Sequence, residues 1–556
     1  GNLITDINGV KCTNQNNRPY QEGMVFRCDL DGKNVEILGW NFRNNWEVAV
    51  DSFGTVWQSD NDDDGNKAVR INYVMEYGNY GYKDEITGSG WREPRPGIED
   101  EIPQQHWHQN DPGVVPNLLV TGAGCPTGIV VYEGSLLPEI FRGQVIHCDA
   151  GPNVVRSYIT KPDGAGYKVT ETVDLIKSTE DRWFRPSDVC VAPDGSLFVA
   201  DWYDPGVGGH AMGDIEKGRI FRVIPKGDQN ALSYNTHFNL SIKSGGKTRE
   251  GEPVPMENIN HQTESGKYLS WQDMENFDKV GELFLKGKVP WENASAAVAA
   301  RNLFRIAEAD DGLEYVNAAA KFDTPQLRIS SIRAARKKLG SKSTELLRFL
   351  SQLAKDPDPQ VRREVLLAIR HNFSPEANNL WVELAKLYDG TDRWYLEALG
   401  VAADLSWIDR LGALGENDVI HPSIVWRSRA PETALRLANL IIESEEPDLR
   451  HLRALDFQTD AAKAEAYELV FQRGNPEMAI AAAGKLGRDE IDKMEGGQAR
   501  LEMLLAPIRG KAEFISLAEK LNLRGFEDEV ADYIAVNPGA PESVTAAKIL
   551  MRERRD

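Results

Sequence analysis

What this chain has least of is continuous apolar sequence. No run of about 18 or more apolar residues occurs in its 556 residues, so no segment is suited to cross a bilayer as a helix. Basic residues are short as well: 64 Lys and Arg stand against 85 Asp and Glu, for a net charge of −21. Neutralising phosphate takes clustered Lys and Arg, and none stands out, which argues against nucleic acid and against an anionic membrane surface as partners. Cysteine is scarce. The five fall at 12, 28, 125, 148 and 190 and make no C-x-x-C or C-x-x-C-H pair. That argues against a thiolate zinc site and against covalent c-type haem within this chain. Cys12 and Cys28 flank the polar loop Asn14 to Pro19 and are placed to form a disulfide; an odd count leaves at least one thiol free. Cys148 and Cys190 read as small buried side chains in strands. Neither an initiator Met nor a signal pattern opens the chain: Gly1 leads directly into strand-like Leu3-Ile4-Thr5-Asp6, as in a mature, processed or truncated product.

What is present changes character along the chain. At this length two or more domains are expected. Residues 1–227 are rich in Gly, Asn, Asp, aromatic and β-branched residues with frequent turn signals. Residues 265–556 are rich in Ala, Leu, Glu, Lys and Arg with helical periodicity. The stretch 228–264 between them is polar and reads as a linker or an irregular wrap.

The first region repeats itself. Val50 to Asp60 aligns without a gap on Val191 to Asp201: a strand, a Gly turn, a second strand and a terminal Asp. A weaker third copy, Gly143 to Asp149, ends the same way. A second element recurs as Gly23 to Arg27, Asn153 to Arg156 and Gly218 to Arg222. Short repeated antiparallel strands predict propeller blades packed radially, and this length holds only four or five, so the propeller is incomplete within this chain. The second region repeats as helices. Thr324-Pro325, Asp358-Pro359 and Asp392-Arg393 each open an apolar-periodic run, which predicts a HEAT-like α-solenoid. The expected fold is therefore multidomain β + α.

Four carboxylates, Asp60, Asp62, Asp63 and Asp64, lie within five residues and are followed by Gly65. Together with Asn61 they make the opening half of a calcium loop, in which alternating oxygens converge on a hard cation. The position of the closing bidentate Glu is Ile71, so this is not an EF-hand, and further ligands must come from backbone or elsewhere. The alternative is a solvated acidic turn. Among the histidines, His106 and His108 alternate about Trp107; on an extended segment both imidazoles share one side, suited to a metal or to proton transfer. The alternative is a polar loop packed by its Trp. His147 stands near a strand end beside Asp149. His210 lies in Gly208-Gly209-His210, where two glycines free the backbone to bring it to a channel mouth; the alternative is a capped turn.

In their order and spacing, Phe42-Arg43-Asn44, the acidic loop, Gly78-Asn79-Tyr80-Gly81-Tyr82, Pro126-Thr127-Gly128, Pro193-Asp194-Gly195 with Asp201-Trp202-Tyr203, and Gly209-His210 to Arg219 resemble the membrane-bound dehydrogenases of planctomycete and verrucomicrobial type. Those proteins look like a sorbosone/soluble glucose dehydrogenase propeller joined to HEAT-like helices, often with a c-type haem domain. The resemblance covers most of residues 1–227 and is only architectural beyond 265. It implies a calcium-dependent, quinoprotein-like oxidoreductase acting on a sugar or polyol, periplasmic or secreted, passing electrons to a c-type cytochrome domain or protein. It implies that Arg43 and Asn44 contact pyrroloquinoline quinone, the alternative being a strand-end Arg43 paired with a neighbouring Asp in an acidic protein, and that Asn61 to Asp64 hold calcium. The chain departs from the pattern in two ways. The sugar dehydrogenases carry their general-base His upstream of the Arg-Asn pair, whereas the earliest His here is His106, and C-x-x-C-H is absent. The base and the electron acceptor would then come from another segment or polypeptide, and the catalytic candidates within the chain are His106, His108, His147 and His210. A reading of a different class is a non-catalytic scaffold that binds a glycan or a protein.

Overall fold

Two copies of one turn organise the β region. The Asp51 amide donates to Thr55 O at 3.0 Å and the Gly54 amide to Asp51 O at 3.0 Å; Ala192 to Ser196 O and Gly195 to Ala192 O repeat this at 2.8 Å each. Both turns need a left-handed residue, and Gly54 and Gly195 supply it at φ +82° and +84°. The aligned segments of the sequence thus fold alike, each placing an aspartate at the end of the second strand.

The structure is a computed structural model that describes residues 4–5, 11–12, 22–63, 67–85, 87–122, 124–192, 194–207, 216–226, 261–262, 268–269, 296–308, 310–446 and 448–553. The chain forms two compact units. The first comprises Gly1–Arg92, Glu99–Gln109 and Gly113–Ile420, and the second Glu93–Ile98, Asn110–Pro112 and His421–Asp556.

In the first unit, β1 (Ile4–Thr5) pairs with β2 (Lys11–Cys12). Then β3 (Gly23–Arg27) pairs with β4 (Glu36–Phe42). β5 (Asn44–Val50), β6 (Val56–Asn61) and β7 (Val69–Tyr73) begin a second sheet; β8 (Gly78–Asn79) returns to lie parallel to β4, and β9 (Leu119–Gly122) completes the second sheet on β7. A third sheet is the antiparallel meander β10 (Pro126–Tyr132), β11 (Gln144–Asp149), β12 (Val154–Asp163) and β13 (Gly166–Lys177). A fourth has β14 (Pro186–Val191), β15 (Leu197–Asp201) and β16 (Arg219–Val223). The third and fourth pack together through Tyr132, Ile146, Cys148, Val155, Val189, Leu197 and Val199, all buried. The pair β17 (His261–Gln262) and β18 (Tyr268–Leu269) follows.

Helices succeed the sheets. α1 (Ile102–Gln105) is a single turn between strands. The run then continues as α2 (Ala296–Ile306), α3 (Gly312–Ala319), α4 (Pro325–Leu339), α5 (Thr344–Ser351), α6 (Pro359–Ile369), α7 (Pro375–Ala385), α8 (Arg393–Ala403) and α9 (Trp407–Gly412). The starts read from Asp358-Pro359 and Asp392-Arg393 are N-caps in fact: Asp358 accepts from the Gln360 amide at 2.8 Å and Asp392 from Tyr395 at 3.0 Å. α2 packs on α4, α4 on α6 and α6 on α8.

Sheets and helices of this unit meet at the β12–β13 hairpin. Its tip is held by Gln360 Nε2 to Gly166 O (2.6 Å), Arg363 to Ala165 O (2.6 Å) and the Ala165 amide to Asp392 Oδ2 (2.7 Å). A Cβ on Gly166 would lie 2.2 Å from the Trp394 ring, so this close approach requires glycine. A second seam is ionic: Glu76, after β7, takes Arg336 of α4 at 2.5 Å and Arg27 of β3 at 2.9 Å.

The second unit gathers helices from Thr433–Glu443 to Pro541–Glu553. It includes parts of the insertion before β9: Asp111 accepts both Nε (3.0 Å) and a terminal nitrogen (2.9 Å) of Arg453, and Arg95 closes on it at 3.2 Å.

Of the cysteine expectations, the one for Cys190 needs correction. Cys28 is a free, exposed thiol, whereas the side chain of Cys12 lies outside the described residues. Cys190 is exposed, because β14 alternates and turns its neighbour Val189 to the core; Cys148 is buried as expected. No helix among the described residues is long and apolar enough to cross a membrane.

Candidate functional site

The aspartates that end the second strands do one job in three sheets: each accepts the amide of the residue entering its first strand. Asp60 accepts from Asn44 (2.8 Å), Asp149 from Cys125 (2.8 Å) and Asp201 from Arg185 (2.7 Å). In two sheets an arginine stands directly across the ladder, Arg70 opposite Asp60 and Arg219 opposite Asp201. Arg70 donates to Asp60 Oδ2 through Nε (3.2 Å) and a terminal nitrogen (2.8 Å), and Trp107 covers its guanidinium at 3.5 Å.

The candidate site lies in the segments that adjoin this end of the second sheet. Arg43 Nε donates to Asp63 Oδ1 at 3.1 Å; the Tyr82 hydroxyl donates to the same oxygen at 3.2 Å, and Trp91 Nε1 to Oδ2 at 3.3 Å. His106 shares two of these walls, with its ring 5.7 Å from Tyr82 and 5.9 Å from Trp91. Burial holds the His106 imidazole neutral, down to about 3; Asp63 opposes this, and Arg70, Arg43 and His108 reinforce it. Burial would push Asp63 up, but His106, Arg43 and Tyr82 together bring it below the usual carboxylate range. Because His106 is neutral near pH 7, Arg43 is the cation that sustains that shift. The side chains of Arg43 and Asp63 remain 24% and 38% exposed, so a ligand can reach both. His106 is fully buried.

The other sequence candidates fall as follows. Asn44 is exposed next to Arg43. His108 is buried, with Nδ1 2.8 Å from Gly81 O. His106 and His108 follow α1 in a turn rather than an extended strand, so the alternation argument does not apply to them. His147 is buried within the third sheet, its Nδ1 3.4 Å from the Tyr158 hydroxyl and its Nε2 without a hydrogen-bond partner. His210 and Asp64 lie outside the described residues. Sequence reasoning missed Tyr82, Trp91 and Arg70; the available signal was their clustering around the Gly-Asn-Tyr-Gly segment.

The described part of the acidic loop does not fit a calcium ion. Asp60 is spent on Arg70 and backbone amides, and Asp63 on Arg43, Tyr82 and Trp91. Asp62 Oδ2 accepts from Ala68 at 2.7 Å, while Asn61 Oδ1 takes the Asp62 amide at 3.1 Å. Among the described residues no group of three His, Cys, Asp or Glu is arranged to hold a metal. The quinone expectation fits better: Arg43 gives Nε to Asp63 and also meets the Tyr82 hydroxyl, and its guanidinium stays partly exposed, so a ligand carboxylate can reach it.

A separate cavity of about 510 Å³ lies where the β12–β13 hairpin meets α6 and α8. Its charged lining is committed within the protein, with Asp392 on amides and Arg393 on Glu397 (3.0 Å) and Val114 O (2.8 Å).

The constellation is a partly exposed Arg43–Asp63 pair walled by aromatic side chains on repeated sheets. Among known families, one described as a domain of unknown function (DUF7133) matches residues 3–227. No curated protein matches the chain. The PQQ-bound form of aldose sugar dehydrogenase from Streptomyces coelicolor is 16% identical over 38% of this chain and 54% of that one, at a TM-score of 0.24. The apo form of the soluble aldose sugar dehydrogenase from Escherichia coli is 16% identical over 39% and 54%, also at 0.24. Human deoxyhypusine hydroxylase in complex with glycerol is 15% identical over 51% of this chain and 98% of that one, at 0.19. The chain spans about half the length of the sugar dehydrogenases it matches. Likeness at these TM-scores carries no argument about activity.

Proposed function

We propose that the sheet region is propeller-like and serves a quinoprotein-like oxidoreductase that acts on a hydroxyl of a sugar or polyol, and that the helices continue it as a HEAT-like solenoid. The proposal extends to a periplasmic or secreted setting with a c-type cytochrome as electron acceptor. The observation that carries it is the Arg43–Asp63 pair, a reachable guanidinium oriented from behind by a carboxylate and walled by Tyr82 and Trp91. When bound, pyrroloquinoline quinone would supply hydride acceptance from the substrate carbon. Arg43 and Asn44 would hold its acid groups, and Asp63 would keep the Arg43 fork in place. The hydroxyl proton requires an acceptor, and His106 is the neutral imidazole of this cluster. It is buried, so Tyr82 or Trp91 must turn aside before His106 can serve. No calcium enters this scheme, because the described carboxylates are already satisfied.

The scaffold reading keeps one specific support: Asp60, Asp62 and Asp63 all accept from protein donors, as structural carboxylates do. Quinone binding separates the two. The chain is titrated with pyrroloquinoline quinone and followed by the quinone absorbance. On the proposed reading Arg43→Ala weakens binding by about 1.5–3 kcal/mol, the size of a charge-assisted hydrogen bond. Equal affinity in the variant, or no binding by the wild type, favours the scaffold.

A further inference from the structure

In the third sheet the pairing of strand-end aspartate with arginine is broken. Asp149 stands across the ladder from Val154, where the sheets on either side carry Arg70 and Arg219. Among the described residues no guanidinium pairs with it; Arg185, which packs on the following turn, spends its nitrogens on Ala150 O (2.8 Å), Gly151 O (3.2 Å) and Pro205 O (3.1 Å). Oδ1 accepts from Cys125, Oδ2 has no donor in hydrogen-bonding geometry among the described residues, and the residue is buried. Gly124 presses on the carboxyl so closely that a Cβ there would sit 2.5 Å from Oδ1 and 2.6 Å from Oδ2. The charged and titratable groups around it do not compensate. From β11 come neutral His147 and Cys148, from β12 Tyr158 and Arg156, from the entry to β10 Cys125, and from the acidic loop Asp62. Arg156 is the one cation in that set, and it spends its Nε on Asp174 at 2.9 Å. Asp62 adds negative charge.

We propose that Asp149 is a proton-operated latch: protonated, it lets the turns carrying Gly124–Cys125 and Ala150–Gly151 close over it, and ionised, it admits water between them to hydrate a charge that, among the described residues, has amide donors but no ion-pair partner. A buried carboxylate without a counter-ion is costly, and taking up a proton removes the cost. Burial pushes the Asp149 carboxyl up to about 6, although the Cys125 amide, Arg156 and the Gly151 amide favour the anion. The sign follows from linkage. The closed state binds the proton more tightly than an open or unfolded one, whose carboxyl titrates near 3.9, so closure is favoured at low pH, weakens as pH rises from about 4 through about 6, and levels off above that.

The reporter is local. The Ala150 amide donates to Cys125 O at 3.0 Å across these two turns. Hydrogen exchange is measured on peptides covering 124–126 and 150–152 from pH 5 to pH 8, corrected for intrinsic exchange. In the wild type protection should fall about tenfold over that range, the loss expected for carboxyl pKa values near 6 closed and 3.9 open. Asp149→Asn, neutral at every pH and still able to accept from Cys125, should show a flat profile. Val154→Arg restores the cation present in the other two sheets and should flatten it too; if that variant does not fold, Asp149→Asn decides alone. A flat wild-type profile, or a fall in Asp149→Asn as steep as that of the wild type, overturns the latch.

Discussion

Arg70 and Asp60 form an ion pair in which both side chains are fully buried and the closest nitrogen and oxygen are 2.8 Å apart. The guanidinium also donates to Tyr80 O at 2.7 Å and Asn117 Oδ1 at 2.8 Å, so removing the carboxylate leaves a cation that is hydrogen-bonded but uncompensated. Asp60→Ala should therefore lower the unfolding free energy by about 3–5 kcal/mol. Chemical denaturation checks this, and a change under about 1 kcal/mol would show that the pair is not a structural keystone.

Glu76 predicts a pH effect opposite in sign to that of Asp149. Burial would raise its carboxyl, but Arg27, Arg336 and Arg333 hold it well below the usual range. The stability this contributes is present above the unfolded value near 4.3, begins to fall there, and is lost as pH drops on through the lower folded value. Glu76→Gln should cost about 3 kcal/mol at pH 7, because buried Arg336 loses its charge partner and Arg27 keeps only Glu36, and less at pH 4. Thermal melts of wild type and variant at the two pH values give the comparison; an equal deficit at both would refute the assignment.

Divalent-ion dependence is expected to be slight. With Asp60, Asp62 and Asp63 satisfied by protein donors, EDTA should move Tm by less than about 1 °C, since only an ion bound to the native state stabilises it. A larger drop that calcium reverses would assign an ion to residues 64–66.

Repeats and caps were legible in the sequence because they are local. The Gly turns at Gly54 and Gly195 and the caps at Asp358 and Asp392 each involve residues within a few positions of one another. The acidic loop was less legible for the complementary reason. Counting carboxylates between Asp60 and Asp64 cannot reveal that Arg43 and Arg70 arrive from other strands to neutralise them. His106 was visible as a residue, but not its company: Tyr82 and Trp91 lie 24 and 15 positions away and reach it only through the fold. Change of composition marked where strands give way to helices, whereas the division into compact units falls near His421, within sequence of uniform helical character.

The hairpin tip at Ala165 and Gly166 works as a rivet between two stretches of chain separated by the long polar segment 228–264. Gln360, Arg363 and Asp392 each give up a hydrogen-bonding group to it, and these would be stranded if the sheets were removed. A protease that severs the polar segment should therefore nick the backbone without parting the pieces, which would still co-elute on size exclusion under native conditions and separate only in denaturant. A piece ending at residue 227, chosen to match the most familiar part of the sequence, would lack its mechanical abutment; the shortest stretch expected to behave as the intact unit extends to Ile420.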